Sequence, residues 1–277
     1  MTAAITFALN HIAAPSLGIG EFFALARKLG LDEVEIRNDL TGVPIFDGTP
    51  AETVRREAQA KGVRILTINA LQRFNEWTER RAAEARELAS YARDCGARAL
   101  VLVPVNDAEF RPSDETRLAG LREALTALEP ILTEAGLSGF VEPLGFAISS
   151  LRSKREATAA IDAVGGADIF RLVHDSFHHH LAGEAEIFPL RTGLVHISGV
   201  DDQRLAVADM RDAHRVLVGE ADRLGNLAQI EALRTGGYRG PFSFEPFAES
   251  VQRSPDIGAD LAASMRFIGE RVVSSEK

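Results

Sequence analysis

The sequence predicts an α/β fold in the form of a single barrel of eight strand–helix pairs, (β/α)8, occupying residues 1–277 as one domain. Three observations predict it. Short β-branched or apolar runs alternate with longer segments of helical spacing along the whole chain, the alternation repeats eight times, and no Pro/Ser-rich linker or shift in composition divides it. Strands that alternate with helices imply a parallel sheet, and eight repeats in about 250 residues close into a barrel more readily than they open into a doubly wound sheet.

The strands in order are ITFAL (5–9), EVEIR (33–37), RILTI (64–68), RALVLV (98–103), SGFVE (138–142), IFRLVH (169–174), GLVHI (193–197) and PFSFE (241–245). Between them lie segments of helical period such as IGEFFALARKLG, TPAETVRREAQAKG, TERRAAEARELASYARDCG and SDETRLAGLREALTALEPILTEAG. Several open on Ser, Thr or Asp, which cap exposed N–H groups, and close on Gly in KLG, AKG, DCG and EAG, where the chain must leave the helix. The GIG at 18–20 is not a dinucleotide fingerprint, because Phe23 stands where the third glycine belongs, and no GxxxxGK[ST] loop occurs.

Composition narrows the function. No apolar run approaches the roughly 18 to 20 residues of a membrane span, and MTAAITFALNHIAAP lacks the basic n-region of a secretory signal. A cytoplasmic protein is the expectation. A single cysteine, Cys95, rules out an internal disulfide and a thiolate metal cluster, and its setting in SYARDCGARAL reads as a packed small side chain. A net charge of −9 disfavours nucleic acid, which demands a basic patch, and favours a small polar substrate.

In a parallel barrel chemistry gathers at the C-terminal rim, so the residue that ends each strand is informative. Those residues are Asn10, Arg37, Asn69, Pro104, Glu142, Asp175, His196 and Glu245. Glu142, Asp175, His196 and Glu245 stand on successive strands 5 to 8, about 4.8 Å apart. Three crowded carboxylates repel unless a cation neutralises them, so this set predicts one divalent metal ion, with Mn2+ ahead of Zn2+, Co2+, Mg2+ and Fe2+. Asn10, Arg37 and Asn69 are read as polar walls of the substrate pocket, with Phe74 and Trp77 as apolar lining and His11 and His214 as further lining. In LVHDSFHHHLAG (172–183), His174 should point away from Asp175 toward the helices, and His179 and His180 read as loop or supporting residues.

The ordered set EP (142–143), LVHDSFHHHLAG, VHISGVDD (195–202), HRVLVGEADRL (214–224) and FSFEPF (242–247) resembles the xylose-isomerase-like TIM barrel superfamily. Within it, EVEIRNDL, LTINALQRFN (66–75) and HDSFHHH are most similar to the inosose (2-keto-myo-inositol) isomerases. The resemblance implies that Glu142, Asp175, His196 and Glu245 hold the metal, and that Glu142 and Glu245 also exchange protons with carbons flanking a carbonyl. It implies further that His178 and Arg215 contact substrate oxygens. Val218 and Ala221 depart from the family's proline and second glycine in the RVxPGxG-like segment, and Glu220 adds a carboxylate, so the substrate is less firmly indicated than the metal. The implied activity is isomerisation of a small keto-polyol through an enediolate. Alternatives are a ketohexose 3-epimerase, a 3-dehydroshikimate dehydratase-like lyase and a non-catalytic sugar-binding barrel. Barrels of this family often pair, which allows a homodimer.

Overall fold

The computed structural model describes residues 5–40 and 49–274; residues 1–4, part of the N-terminus read above for a signal segment, lie outside them. Eight parallel strands close on themselves in sequence order: β1 (Phe7–Asn10), β2 (Glu33–Arg37), β3 (Arg64–Gln72), β4 (Ala99–Val103), β5 (Ser138–Val141), β6 (Phe170–Asp175), β7 (Thr192–Ile197) and β8 (Phe242–Phe244), with β8 pairing β1. This is a single TIM barrel. The strands match the sequence expectation within one or two residues, except that β3 runs on to Gln72 because LTINAL stays buried across the rim.

Helices fill the outside: α1 (Ile19–Lys28), α2 (Ala51–Lys61), α3 (Glu79–Cys95), α4 (Asp114–Ala135), α5 (Lys154–Ala163), α6 (Ser176–Ala182), α7 (Asn226–Thr235), α8 (Glu249–Gln252) and α9 (Ile257–Ser274). Their ends follow the punctuation in the sequence. Thr78, Ser113 and Ser153 accept from the N–H three residues on, and Gly96 and Gly136 end α3 and α4 at φ 86° and 68°, a conformation in which a Cβ would be strained. Cys95 is buried at the end of α3, and burial raises its thiol to about 11, so it packs rather than reacts. No helix among the described residues is long and apolar enough to cross a membrane.

Two apolar layers hold the architecture. The larger lies between strands and helices and includes Phe22, Phe23, Leu100, Leu128 and Phe170. The smaller is made of strand residues alone, Ala8, Leu66, Ala70, Val101, Val173 and Leu194 with Phe140 against it, and fills the barrel's interior. Because side chains alternate across a strand, the interior residue two places further on reaches the rim. Ala8 leads to Asn10, Phe140 to Glu142, Val173 to Asp175 and Leu194 to His196. The register places Asp175 opposite His196 and His196 opposite Ser243, so these tips lie side by side.

Candidate metal and substrate site

Glu142, Asp175, His196 and Glu245 are all buried, and one ligand-type atom from each lies within 4.8 Å of every other. His196 is at the centre. Its Nδ1 stands 3.0 Å from Glu142 Oε1, 3.2 Å from Glu245 Oε2 and 3.8 Å from Asp175 Oδ2. On the other side, His196 Nε2 is 3.1 Å from Glu35 Oε2. A carboxylate behind a histidine fixes which ring nitrogen carries the proton and leaves the other to face a ligand.

Glu35 is the residue that the strand-end reading passed over. It sits in the middle of β2, fully buried, and accepts from Thr67 Oγ1 at 2.6 Å, Asn69 Nδ2 at 2.8 Å and Ser243 Oγ. Burial alone would raise its carboxyl, but the His196 charge and the hydrogen bonds from His196, Ser243 and Thr67 outweigh it and bring the group down to about 2. EVEIR puts Glu33, Glu35 and Arg37 on one face, and a polar face on a parallel barrel strand can only look inward; that was the available signal.

Asp175 divides its two oxygens. Oδ1 accepts from the N–H groups of Phe177 (2.7 Å) and His178 (3.0 Å) and so caps α6, while Oδ2 turns to the site and meets Arg215 Nη2 at 2.6 Å. The same Arg215 nitrogen reaches Glu245 Oε2 at 2.9 Å, and its Nε donates to Ser198 at 2.9 Å. Glu245 Oε1 accepts from Arg37 Nη1 at 2.9 Å and Asn10 Nδ2 at 3.2 Å. Glu245 is therefore held ionised, its carboxyl depressed against the pull of burial by His196, Arg215 and Arg37. Among the described residues the Glu142 side chain is paired with His196 alone, and burial raises its carboxyl. Four buried carboxylates face two buried guanidiniums, one of which also serves Asp39, so the centre carries excess negative charge whenever His196 is neutral. Accordingly, Glu245, Glu35 and Glu142 push the His196 imidazole well above its ordinary value although burial acts to lower it. A divalent cation would balance that excess, and the donor set of three carboxylates and one imidazole suits one; the residues present fit a metal.

A cavity of about 230 Å³ opens beside these groups, lined among others by Arg37, Asn69, Glu142, His178, Arg215 and Glu245. Of the expected wall residues, Arg37 and Asn69 do line it, yet both are engaged, Arg37 with Asp39 and Glu245 and Asn69 with Glu35. Asn10 spends both ends of its amide, donating to Glu245 and accepting from the N–H of Ile12. His178 lines the cavity with its buried Nδ1 unpartnered in the structure. His11 is turned into packing instead, with Nε2 2.9 Å from Leu17 O and its ring stacked on Phe22, and Phe74 and Trp77 belong to the layer between strands and helices. His214 accepts from the N–H of Arg211 within its own turn, and Glu220 is exposed.

His174 does point to the helices, where Nε2 meets Gln229 of α7 at 2.8 Å. His179 and His180 stand on helix α6 rather than in a loop, because the Asp175 cap starts a helix immediately after the strand. His179 Nδ1 contacts Lys154 Nζ, itself buried at the start of α5, and burial brings that ammonium down to about 8.

The family model for xylose isomerase-like TIM barrels matches residues 23–270. Among solved structures, a xylose isomerase domain containing protein from Salmonella typhimurium LT2 is 34% identical, with 99% of each chain covered and a TM-score of 0.87. The IOLI protein with a binding zinc atom is 22% identical (98% of this chain, 99% of that chain, TM-score 0.83), and an L-ribulose 3-epimerase is 17% identical (98% and 96%, TM-score 0.75); at those identities the likeness concerns the fold. No curated protein matches the chain. With the family model spanning nearly the whole barrel, the chain belongs to the xylose isomerase-like TIM barrel family.

Proposed function

We propose that the protein is a divalent-metal-dependent isomerase or epimerase of a small keto-polyol, with an inosose (2-keto-myo-inositol) as its first candidate substrate. The observation that carries this reading is the convergence of Glu142, Asp175, His196 and Glu245 within 4.8 Å beside a polar cavity. Those four residues would hold the ion, Mn2+ or, by analogy with the zinc-binding IOLI structure, Zn2+. Bound there, the ion supplies positive charge next to the substrate's carbonyl, an effect worth several kcal/mol in such reactions.

The chain's own side chains divide the remaining work. A base must take the proton from the carbon beside the carbonyl, and an acid must return one to the neighbouring carbon for isomerisation, or to the opposite face of the same carbon for epimerisation. Glu142, with a single hydrogen-bond partner, is the freer of the two carboxylates to take and give a proton. Glu245 is tied by Arg37, Asn10 and Arg215 and works against a larger electrostatic load. His178 and Arg215 face the cavity and serve the substrate oxygens by hydrogen bonds, charge-assisted in the case of arginine. The likeness of LTINALQRFN and HDSFHHH to inosose isomerases supports the cyclic substrate. The structural likeness to an L-ribulose 3-epimerase, named for a ketopentose, supports the epimerase chemistry of the second reading, a ketohexose 3-epimerase.

The test is proton exchange in deuterated water followed by NMR. Protein stripped with a chelator and reloaded with single ions is offered a panel of inososes and ketohexoses. Deuterium entering next to the carbonyl, only in the reloaded protein, is the expected result, and the compound exchanged fastest separates the two readings. Loss of water to an ultraviolet-absorbing aromatic product from dehydroshikimate, or metal binding with no exchange into any compound, would overturn the proposal.

A further inference from the structure

A second chamber of about 560 Å³ adjoins the polar cavity and shares Asn106, Phe146 and Asp212 with it. It runs between the loop that follows β5 and the loop that follows β7, and its surface is mainly apolar: Phe146, Ala147, Ile148, Leu181, Val207 and Met210. Nothing in the keto-polyol chemistry needs such a wall. Ile148 and Val207, which line it, are 47% and 41% exposed, two of the few large hydrophobic side chains that the folded chain leaves in water.

The chamber is built into the fold. Gly145 brings the first loop so close to α6 that a Cβ there would stand 2.3 Å from His178 O and 2.6 Å from Leu181 Cβ. Arg152 pins the loop by donating to Gly145 O at 3.0 and 2.8 Å and to Leu181 O at 3.2 Å, and Phe146 rests edge-on against Phe177 and His178. Across the chamber, Arg211 donates to Ala208 O and Met210 O and holds the second loop. Both lining arginines thus donate to carbonyl oxygens of the loops that frame the chamber, whose surface is mainly apolar. At about 230 Å³ the polar cavity is smaller than ordinary ligand pockets, which run from about 300 to 1,000 Å³, and the adjoining chamber falls within that range.

We infer that this chamber is a second substrate subsite, receiving an apolar substituent that the keto-polyol carries through an ether or glycosidic oxygen. The inference rests on the proposed function for the head group and extends its substrate class from bare polyols to aryl- or alkyl-substituted ones. Phe146 lies at the boundary, with one edge toward the polyol and the other toward the substituent, while Asn106 and Asp212 flank the linking oxygen.

Binding needs no turnover and so can be measured apart from the chemistry. Phenyl and methyl β-D-glucopyranoside are titrated by NMR or calorimetry into the wild type, Ala208→Trp, which fills the chamber, and Val207→Asp, which charges its wall. Both positions are exposed, and matching melting temperatures verify the folds. The phenyl glycoside is expected to bind roughly 30-fold tighter to the wild type, the factor for burying on the order of 80 Å² of ring surface, and to lose that preference in both variants. Equal affinities in the wild type, no binding of either glycoside, or a preference that survives both substitutions would overturn the inference. So would a Val207→Asp variant that turns a dimer into a monomer without any phenyl preference in the wild type, which would make the chamber a contact between copies. Deuterium exchange into bare keto-polyols without phenyl preference overturns the subsite alone. Phenyl preference without exchange into any keto-polyol upholds the subsite and overturns the proposed chemistry.

Discussion

Glu35→Gln probes the centre without emptying it. The amide has the shape of the carboxylate, its oxygen can keep Thr67, Asn69 and His196 as donors, and its NH2 can turn to Ser243, whose hydroxyl accepts as well as donates. What disappears is the negative charge behind His196. Loss of a carboxylate that orients a ligating histidine typically weakens metal binding 10- to 100-fold, about 1.4 to 2.8 kcal/mol. The same loss is legible in thermal or urea unfolding. An ion at a hundred times its wild-type Kd stabilises the fold by about 2.7 kcal/mol, and this falls to about 1.4 kcal/mol for tenfold weaker binding or about 0.4 kcal/mol for hundredfold. Calorimetric titration of chelator-treated protein with Mn2+ or Zn2+ supplies the affinities directly. A variant that folds and binds the ion within twofold of wild type would refute the reasoning, because Glu35 would then have no influence on the face that His196 presents to Glu142, Asp175 and Glu245.

Three further outcomes are expected. Arg215→Met leaves Asp175 buried without its guanidinium and Glu245 with Arg37 alone, and should cost about 3 to 5 kcal/mol in urea unfolding of the metal-free protein, with part of the loss recovered on adding a divalent ion. Burial holds His11 down at about 4, whereas an unfolded chain takes up that proton near 6.5; its contribution to stability is therefore full above pH 6.5 and drains away as pH falls toward 4. Between pH 7 and pH 5 the wild type should lose about 2 kcal/mol more than His11→Gln, read from paired urea titrations. Gly145→Ala drives a methyl into His178 O and should cost about 1 to 3 kcal/mol while loosening the loop that carries Phe146, seen as faster amide exchange there.

Much of this molecule is written locally in its sequence. Most strands are short apolar runs, several helices have a side-chain cap and a closing glycine, and the alternation of inward and outward side chains carries Glu142, Asp175, His196 and Glu245 to one rim. What escaped the reading is contact across the barrel between groups far apart in the chain. Glu35 and Ser243 are 208 positions apart, and Arg215 reaches Asp175 across 40, from a loop with no period to read. For the same reason the sequence does not show that Asn10, Arg37 and Asn69, read as polar walls of the pocket, also donate to the carboxylates Glu245 and Glu35. His11 shows the converse, a histidine beside a strand tip that the ring of Phe22 and a carbonyl draw into packing.

The partners of Glu35 come from both ends of the chain, Thr67 and Asn69 from β3, His196 and Ser243 from β7 and β8. The strands up to β4 supply only the first two of these donors, and β7 and β8 supply the rest. Two strands from each half of the chain thus meet on one side chain, and the closed ring is the arrangement in which that buried charge has all four of its donors at once.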